Sequence, residues 1–183
     1  MTDLLRFEKV ALHRGGRLLF EEMSFALRAG QGLQVTGANG SGKSSLLRLA
    51  AGLLRAAQGH VERAQAALAD DHLALDRELP LKHALGFWGG TPDQPMAAMG
   101  LTALGNVPVR LLSAGQGKRA TLARVAASGA PLWLLDEPLN ALDADGRDQL
   151  SDLIARHRSG GGAVVTASHQ PLPGEWTRLE LGQ

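Results

Sequence analysis

Eight consecutive residues, Gly37-Ala38-Asn39-Gly40-Ser41-Gly42-Lys43-Ser44, constrain this chain more than any other feature. They fit the spacing G-x-x-x-x-G-K-[ST], a loop that works only between a buried strand and the first turn of a helix. Glycine is needed where the backbone takes left-handed conformations and comes close to a ligand, because a Cβ hinders both. Successive N–H groups then converge on phosphate oxygens, and the helix N-terminus adds a favourable dipole. In that arrangement Lys43 reaches the terminal phosphates of a nucleotide and the Ser44 hydroxyl ligates Mg²⁺. The pattern predicts a phosphate-binding set of Gly37, Ala38, Asn39, Gly40, Ser41, Gly42, Lys43 and Ser44, with Ser45 adjoining it.

The flanks supply the required context. Gly32–Thr36 is a short apolar run, and Lys43–Leu54 carries apolar residues at helical spacing, with Gly52 interrupting near its end. Before the loop, Leu4–His13 and Met23–Leu27 alternate as strands around a turn at Arg14–Arg17. After it, Gly59–Glu62 and Ala66–Ala69 read as short strands, and Gly115–Ser128 and Ala144–Arg158 as helices. Leu132–Leu135 and Ala163–Ser168 read as buried strands, and Thr177–Leu181 as a last edge strand. The stretch from Asp70 to Pro108 is split by Gly89-Gly90-Thr91-Pro92 into helix-like pieces, Leu79–Trp88 and Pro95–Leu104. The alternation predicts an α/β fold of the P-loop NTPase type. Its core sheet is mostly parallel, its N-terminal β part antiparallel, and a short helical insert covers about 70–114. A chain of 183 residues, 44% of them hydrophobic, suits a single domain with a substantial core.

Composition narrows the chemistry. Lys and Arg number 19 against 18 Asp and Glu, a net charge of +1, so the basic footprint of a nucleic-acid binder is missing. The absence of Cys excludes disulfides, thiol nucleophiles and Cys-ligated metals. Aromatic residues are 4% and Tyr is absent, which argues against a base-stacking platform. The N-terminus lacks the signal-peptide pattern, and no apolar run approaches the length of a membrane span. A membrane role would therefore run through a partner.

The run Leu132-Trp133-Leu134-Leu135 ends in two acids, Asp136 and Glu137. Downstream of a phosphate loop, Asp136 is expected to order Mg²⁺ and Glu137 to accept a proton from the attacking water. Between the two motifs, Leu112-Ser113-Ala114-Gly115-Gln116 precedes a helix that Ser113 is placed to cap. This run resembles the LSGGQ signature of ABC ATPases, with Ala114 for the first Gly. Asn140-Ala141-Leu142-Asp143 resembles the D-loop of that family, and Val164–His169 resembles its strand ending in the switch histidine. His60, His83 and His157 lack such context and are expected at the surface. The ordered motifs run from Gly37 to His169, and the chain is identified as a member of the ABC ATPases. The resemblance implies an ATP-hydrolysing subunit that uses ATP and Mg²⁺ and works as a homodimer. Ser113, Ala114, Gly115 and Gln116 would meet the ATP held by the opposite subunit. Asp143 would belong to the D-loop, and His169 would act with Glu137 in catalysis.

Within that family, Arg17-Leu18-Leu19-Phe20, Leu112–Arg119 and Ala130–Pro138 look like the ATP-binding subunits of the haem exporter of cytochrome c maturation, the CcmA family. This narrower resemblance implies a motor at the cytoplasmic face of the inner membrane, held peripherally, that powers an integral membrane permease. No nucleic-acid partner is expected. The ATPase subunit of another small ABC transporter, or a non-transport ABC module, is the alternative. Two places depart from the family pattern. Where a Q-loop Gln is expected after Ala66–Ala69, the chain reads Asp70-Asp71-His72, which makes Asp71 and His72 the candidates for that place. Where a Tyr usually stacks on adenine, the chain offers His13.

Overall fold

In chain order the elements are β1 (Asp3–Arg14), β2 (Arg17–Arg28), β3 (Gly32–Gly37), α1 (Lys43–Ala50), β4 (Gln58–Arg63), β5 (Ala66–Ala69), α2 (Leu81–Gly86), α3 (Asp93–Ala98), α4 (Ala114–Ala127), β6 (Leu132–Asp136), α5 (Ala144–Ser159), β7 (Ala163–Ala167) and β8 (Thr177–Leu181). They come from a computed structural model, which describes residues 3–182. β1 and β2 form a long antiparallel hairpin around Gly15-Gly16, both at positive φ, as a tight two-residue turn requires. β4 joins the other edge of β1, giving the order β2-β1-β4. The second sheet is parallel, in the order β5-β6-β7-β3-β8.

Parallel strands covered on both faces should be apolar throughout, and every residue of β6 and β7 is buried. Alternate residues of β6 feed two separate cores. Leu132 and Leu134 pack with the antiparallel sheet and α1, around Leu5, Phe7, Leu46 and Leu47. Trp133 and Leu135 pack on the opposite face with α4, α5 and the 70–114 segment. The sheet order also places β7 between β3 and β6, so the loops leaving the carboxyl ends of those three strands meet. In open α/β sheets that edge is where ligands bind.

The mostly parallel core sheet and the N-terminal antiparallel part agree with the reading of the sequence, and the differences have local causes. α1 stops at Ala50 rather than Leu54, because Gly52 turns left-handed at φ 78 and the Arg63 guanidinium fills the space of any Cβ there. β2 begins at Arg17 rather than Met23; its pairing with β1 carries it through exposed residues that show little alternation. The 70–114 segment holds two six-residue helices and two 3₁₀ turns, Thr102–Leu104 and Val109–Leu111, in place of two longer helices. Gly100, at φ 65, separates α3 from the first of these turns. The segment is anchored by buried Leu81, Leu85, Met96, Met99 and Leu101, which share a core with α4. His157 is not the surface residue the sequence suggested. Its ring stacks on Trp133 at 3.7 Å between centroids and 10° between planes, and its Nε2 bonds the Pro131 carbonyl at 3.2 Å. Gly162 leaves the room for this, since a Cβ there would lie 2.2 Å from the imidazole.

Candidate nucleotide site

Gly37, Gly40 and Gly42 take φ values of 137, 79 and 106. At Gly37 space is also closed: a Cβ would lie 2.4 Å from the Leu181 carbonyl oxygen and 2.8 Å from Ser41 Oγ. α1 starts at Lys43 with no side-chain cap and no acid in its first turn. Its first N–H groups are thereby left for an anionic ligand. Lys43 is buried, and its ammonium donates to the carbonyls of Gly37 and Ala38 at 2.8 and 3.0 Å, folded across its own loop. Ser41 Oγ is buried with no hydrogen-bond partner among the described residues. A buried hydroxyl normally has a partner, so its orphaning inside this loop fits a phosphate oxygen. Ser45 follows in α1, half-buried. The hairpin of β1 and β2 leans on the loop through Leu19, whose side chain would lie 3.3 Å from a Cβ on Gly42. His13 is exposed in that hairpin, opposite Leu18.

The Ser44 hydroxyl stands beside the Asp136 carboxylate. Burial pushes the Asp136 carboxyl above its ordinary value; Ser44, Arg48 and Lys118 pull it down, while the Asp71 charge adds to the rise. A hydroxyl and a carboxylate side by side are hard oxygen donors of the kind that Mg²⁺ takes. Ser44 and Asp136 are thus the pair that would hold it. From the 70–72 turn the Asp71 charge reaches this place. The His72 N–H is spent on Asp70 Oδ1 at 3.0 Å, and Asp70 pairs with Arg48 at 3.7 Å.

Glu137 leaves β6 at φ 42, and its N–H donates to the Ala167 carbonyl on β7 at 2.8 Å. Its Oε1 is 3.6 Å from His169 Nε2, which is also 3.0 Å from Asn39 Oδ1 in the phosphate loop. Three loops from three adjacent strands therefore close on one imidazole. Its position is set by the next residue: the Gln170 N–H donates to Ser168 Oγ at 3.1 Å, and the Gln170 carbonyl accepts from buried Gln34 at 2.8 Å. Arg147 donates to Gln170 Oε1 at 3.0 Å. Gln34, Arg147 and Gln170 carry no motif, and nothing in the sequence pointed to them.

At the start of α4, Ser113 and Gln116 form a reciprocal capping box. The Ser113 hydroxyl accepts from the Gln116 N–H at 3.3 Å, and Gln116 Oε1 accepts from the Ser113 N–H at 2.9 Å. Ala114 is exposed beside them. Asp143 caps α5 through the Gly146 N–H at 3.0 Å and pairs with Arg119. The Arg119 bond comes first in holding the Asp143 carboxyl below its usual range. Ser113, Gly115, Gln116, Arg119, Ala141 and Asp143 line a solvent-open cleft of about 350 Å³. Residues 37–45 do not line it.

A family profile described as ABC transporter matches residues 20–87. The cytochrome c biogenesis ATP-binding export protein CcmA of Sphingopyxis alaskensis is 54% identical over 180 residues, covering 94% of this chain and 93% of that protein. The protein of the same name from Novosphingobium aromaticivorans is 55% identical over 92% of this chain and 90% of its own. That of Pseudomonas putida is 40% identical over 100% and 99%. Among solved structures, an ATP-binding subunit of an ABC transporter superposes with a TM-score of 0.83 at 19% identity, covering 91% of this chain and 79% of that one. A dimeric ATP-binding cassette bound to ADP and phosphate gives 0.78 at 19% identity, covering 91% and 88%. These two share the fold. Identity above one half along nine-tenths of both sequences goes further. This chain belongs to the CcmA family of cytochrome c biogenesis ATP-binding export proteins and is an ATPase of the ABC-transporter class.

Proposed function

We propose that two copies of this ATPase sandwich two ATP molecules and drive the permease of the haem-export complex of cytochrome c maturation. The chain acts as one ATP-binding domain, held peripherally at the cytoplasmic face of the inner membrane. The 70–114 insert is its contact with the permease. The observation that carries the reading is the closure of Asn39, Glu137 and His169 at one sheet edge, while the capped signature opens on a separate cleft. On this reading one site takes residues 37–45 from one copy and 113–116 from the other. Among the described residues no helix is long and apolar enough to cross a membrane, which supports work through a partner.

In each composite site the loop N–H groups and Lys43 hold the phosphates. Mg²⁺, held by Ser44 and Asp136, would supply neutralisation of phosphate charge. His169 orients the attacking water and the γ-phosphate, and Glu137 takes the proton as the water oxygen bonds to phosphorus and ADP departs. Asp143 and the D-loop join the two sites across the dimer. His13 lies against the adenine, and Asp71 stands where the family's Q-loop acts on the metal site.

Glu137→Gln tests the mechanism. Hydrolysis should fall by about 10²–10⁴, the usual contribution of a general base, while an ATP-bound dimer accumulates. Unchanged turnover would overturn the role. Capture of the tagged Glu137→Gln protein from mildly solubilised membranes with ATP should recover a polytopic permease with haem-handling membrane proteins. Recovery of a different permease would keep the motor and discard the haem assignment.

A further inference from the structure

Lys118 has no part in the mechanism above, yet it stands among the acids of the site. It lies on α4, five residues after the capping Ser113. Its ammonium donates to the Asp136 carbonyl at 3.2 Å. That carbonyl belongs to the peptide joining the two acids. The N–H of the same peptide, that of Glu137, donates to the Ala167 carbonyl at 2.8 Å. One peptide is therefore held from both sides, by Lys118 and by β7, and the Glu137 carboxylate swings from it. Lys118 is half-buried; burial disfavours its charge, and the charges of Asp71, Asp136, Glu137 and Asp70 around it act in the opposite sense.

Two further contacts make α4 and the segment from Asp136 to Asp143 one unit. Gly115 packs on the Ala141 carbonyl, which a Cβ would approach to 3.0 Å, and Arg119 pairs with Asp143. A helix with 1.5 Å rise per residue moves as a rod over so short a span. These contacts form a continuous route from Ser113 to the Asp136–Glu137 peptide.

We propose that Lys118 is a positioning residue that passes engagement of this chain's signature to its own Glu137, and so couples the two ATP sites of the dimer. The inference rests on the homodimer reading above. When Ser113 engages the ATP held by the partner subunit, α4 shifts, Lys118 tips the peptide, and Glu137 moves relative to His169 and Asn39. Hydrolysis in one site thereby depends on occupancy of the other.

The test uses the full chain with Lys118→Met, which keeps the aliphatic stem and removes the charge and donor, and Lys118→Arg, which restores both. The rate of ATP hydrolysis is measured against ATP concentration, and ATP binding and thermal midpoint are measured alongside. For Lys118→Met we expect kcat to fall about tenfold, as for a group that aids general-base chemistry indirectly, and the Hill coefficient to fall towards one. ATP affinity and thermal midpoint should stay near the parent's, and Lys118→Arg should recover both kcat and cooperativity. A Lys118→Met protein with the parent's kcat and Hill coefficient overturns the proposal. So does a loss of affinity and kcat together at unchanged cooperativity, or a parent Hill coefficient of one. Glu137→Gln alone is the control: if ATP produces no dimer there, the homodimer reading falls, and the coupling falls with it.

Discussion

Gly37 and Gly40 both sit at positive φ, but their surroundings differ. A Cβ on Gly37 would strike the Leu181 carbonyl and Ser41, while nothing lies within 4 Å of one on Gly40. Gly40→Ala therefore meets only the backbone cost of a left-handed L-residue, about 1–2 kcal/mol. Gly37→Ala adds a clash with backbone and should displace the loop. We expect Gly37→Ala to abolish ATP binding and Gly40→Ala to weaken it, with the larger fall in thermal midpoint at Gly37; calorimetry and ATP titration check both. The loop was legible in the sequence because its spacing encodes its backbone. The nearness of Asp71 to the Asp136 carboxylate was not, since it depends on how the 70–72 turn packs against a strand end distant in sequence. Lys118 was equally hidden, because its partner is a backbone carbonyl and carries no residue-type signal.

At the scale of elements, β6 and β7 were readable because burial on both faces writes a nearly continuous apolar run, and β3 because it leads directly into the phosphate loop. The 70–114 segment was less so: its helices are six residues long, and Gly89-Gly90 and Gly100 break the periodicity. The stack between β6 and α5 escaped for another reason, since Trp133 and His157 meet only when the helix docks on the sheet. This contact makes stability depend on pH. Burial pushes the His157 imidazole below its ordinary value, against the hydrogen bond to Pro131 and the neighbouring Ala163 backbone, which raise it. Above pH of about 6.5 the ring is neutral both folded and unfolded. Below it, the unfolded chain takes up a proton that the fold resists, so stability falls with pH and levels off under the folded value. Thermal midpoints at pH 7.5 and 5.5 should differ less in His157→Phe than in the parent; an equal difference would show that other groups carry the effect.

For the whole molecule, the fold class followed from strand–helix alternation, but the strand order did not. Nothing local says that β7 lies between β3 and β6, and this neighbourhood is what joins Asn39, Glu137 and His169. The outer surface carries one further distinction. Phe87 is 83% exposed and meets Trp88 edge to face at the end of α2, above an apolar cleft lined by Leu75, Leu79 and Ala84. On the proposed function this face of the insert meets the permease. Phe87→Asp should leave the unfolding free energy within about 0.5 kcal/mol of the parent, as for an exposed site, and should cut recovery of the permease in membrane capture by at least tenfold. Full recovery would move the contact elsewhere on the chain.

Glu137 holds a backbone conformation, φ 42, that glycine or asparagine adopts more readily than glutamate. The residue that takes the proton is therefore also one that its own main chain disfavours. A library of this protein screened only for survival of heating would drift at position 137 towards Glu137→Gly or Glu137→Asn. The winners would be sturdier proteins that clasp ATP and seldom let it go. Screens for thermostable variants of this ATPase thus need turnover in the selection from the first round, because at this position endurance and work pull apart.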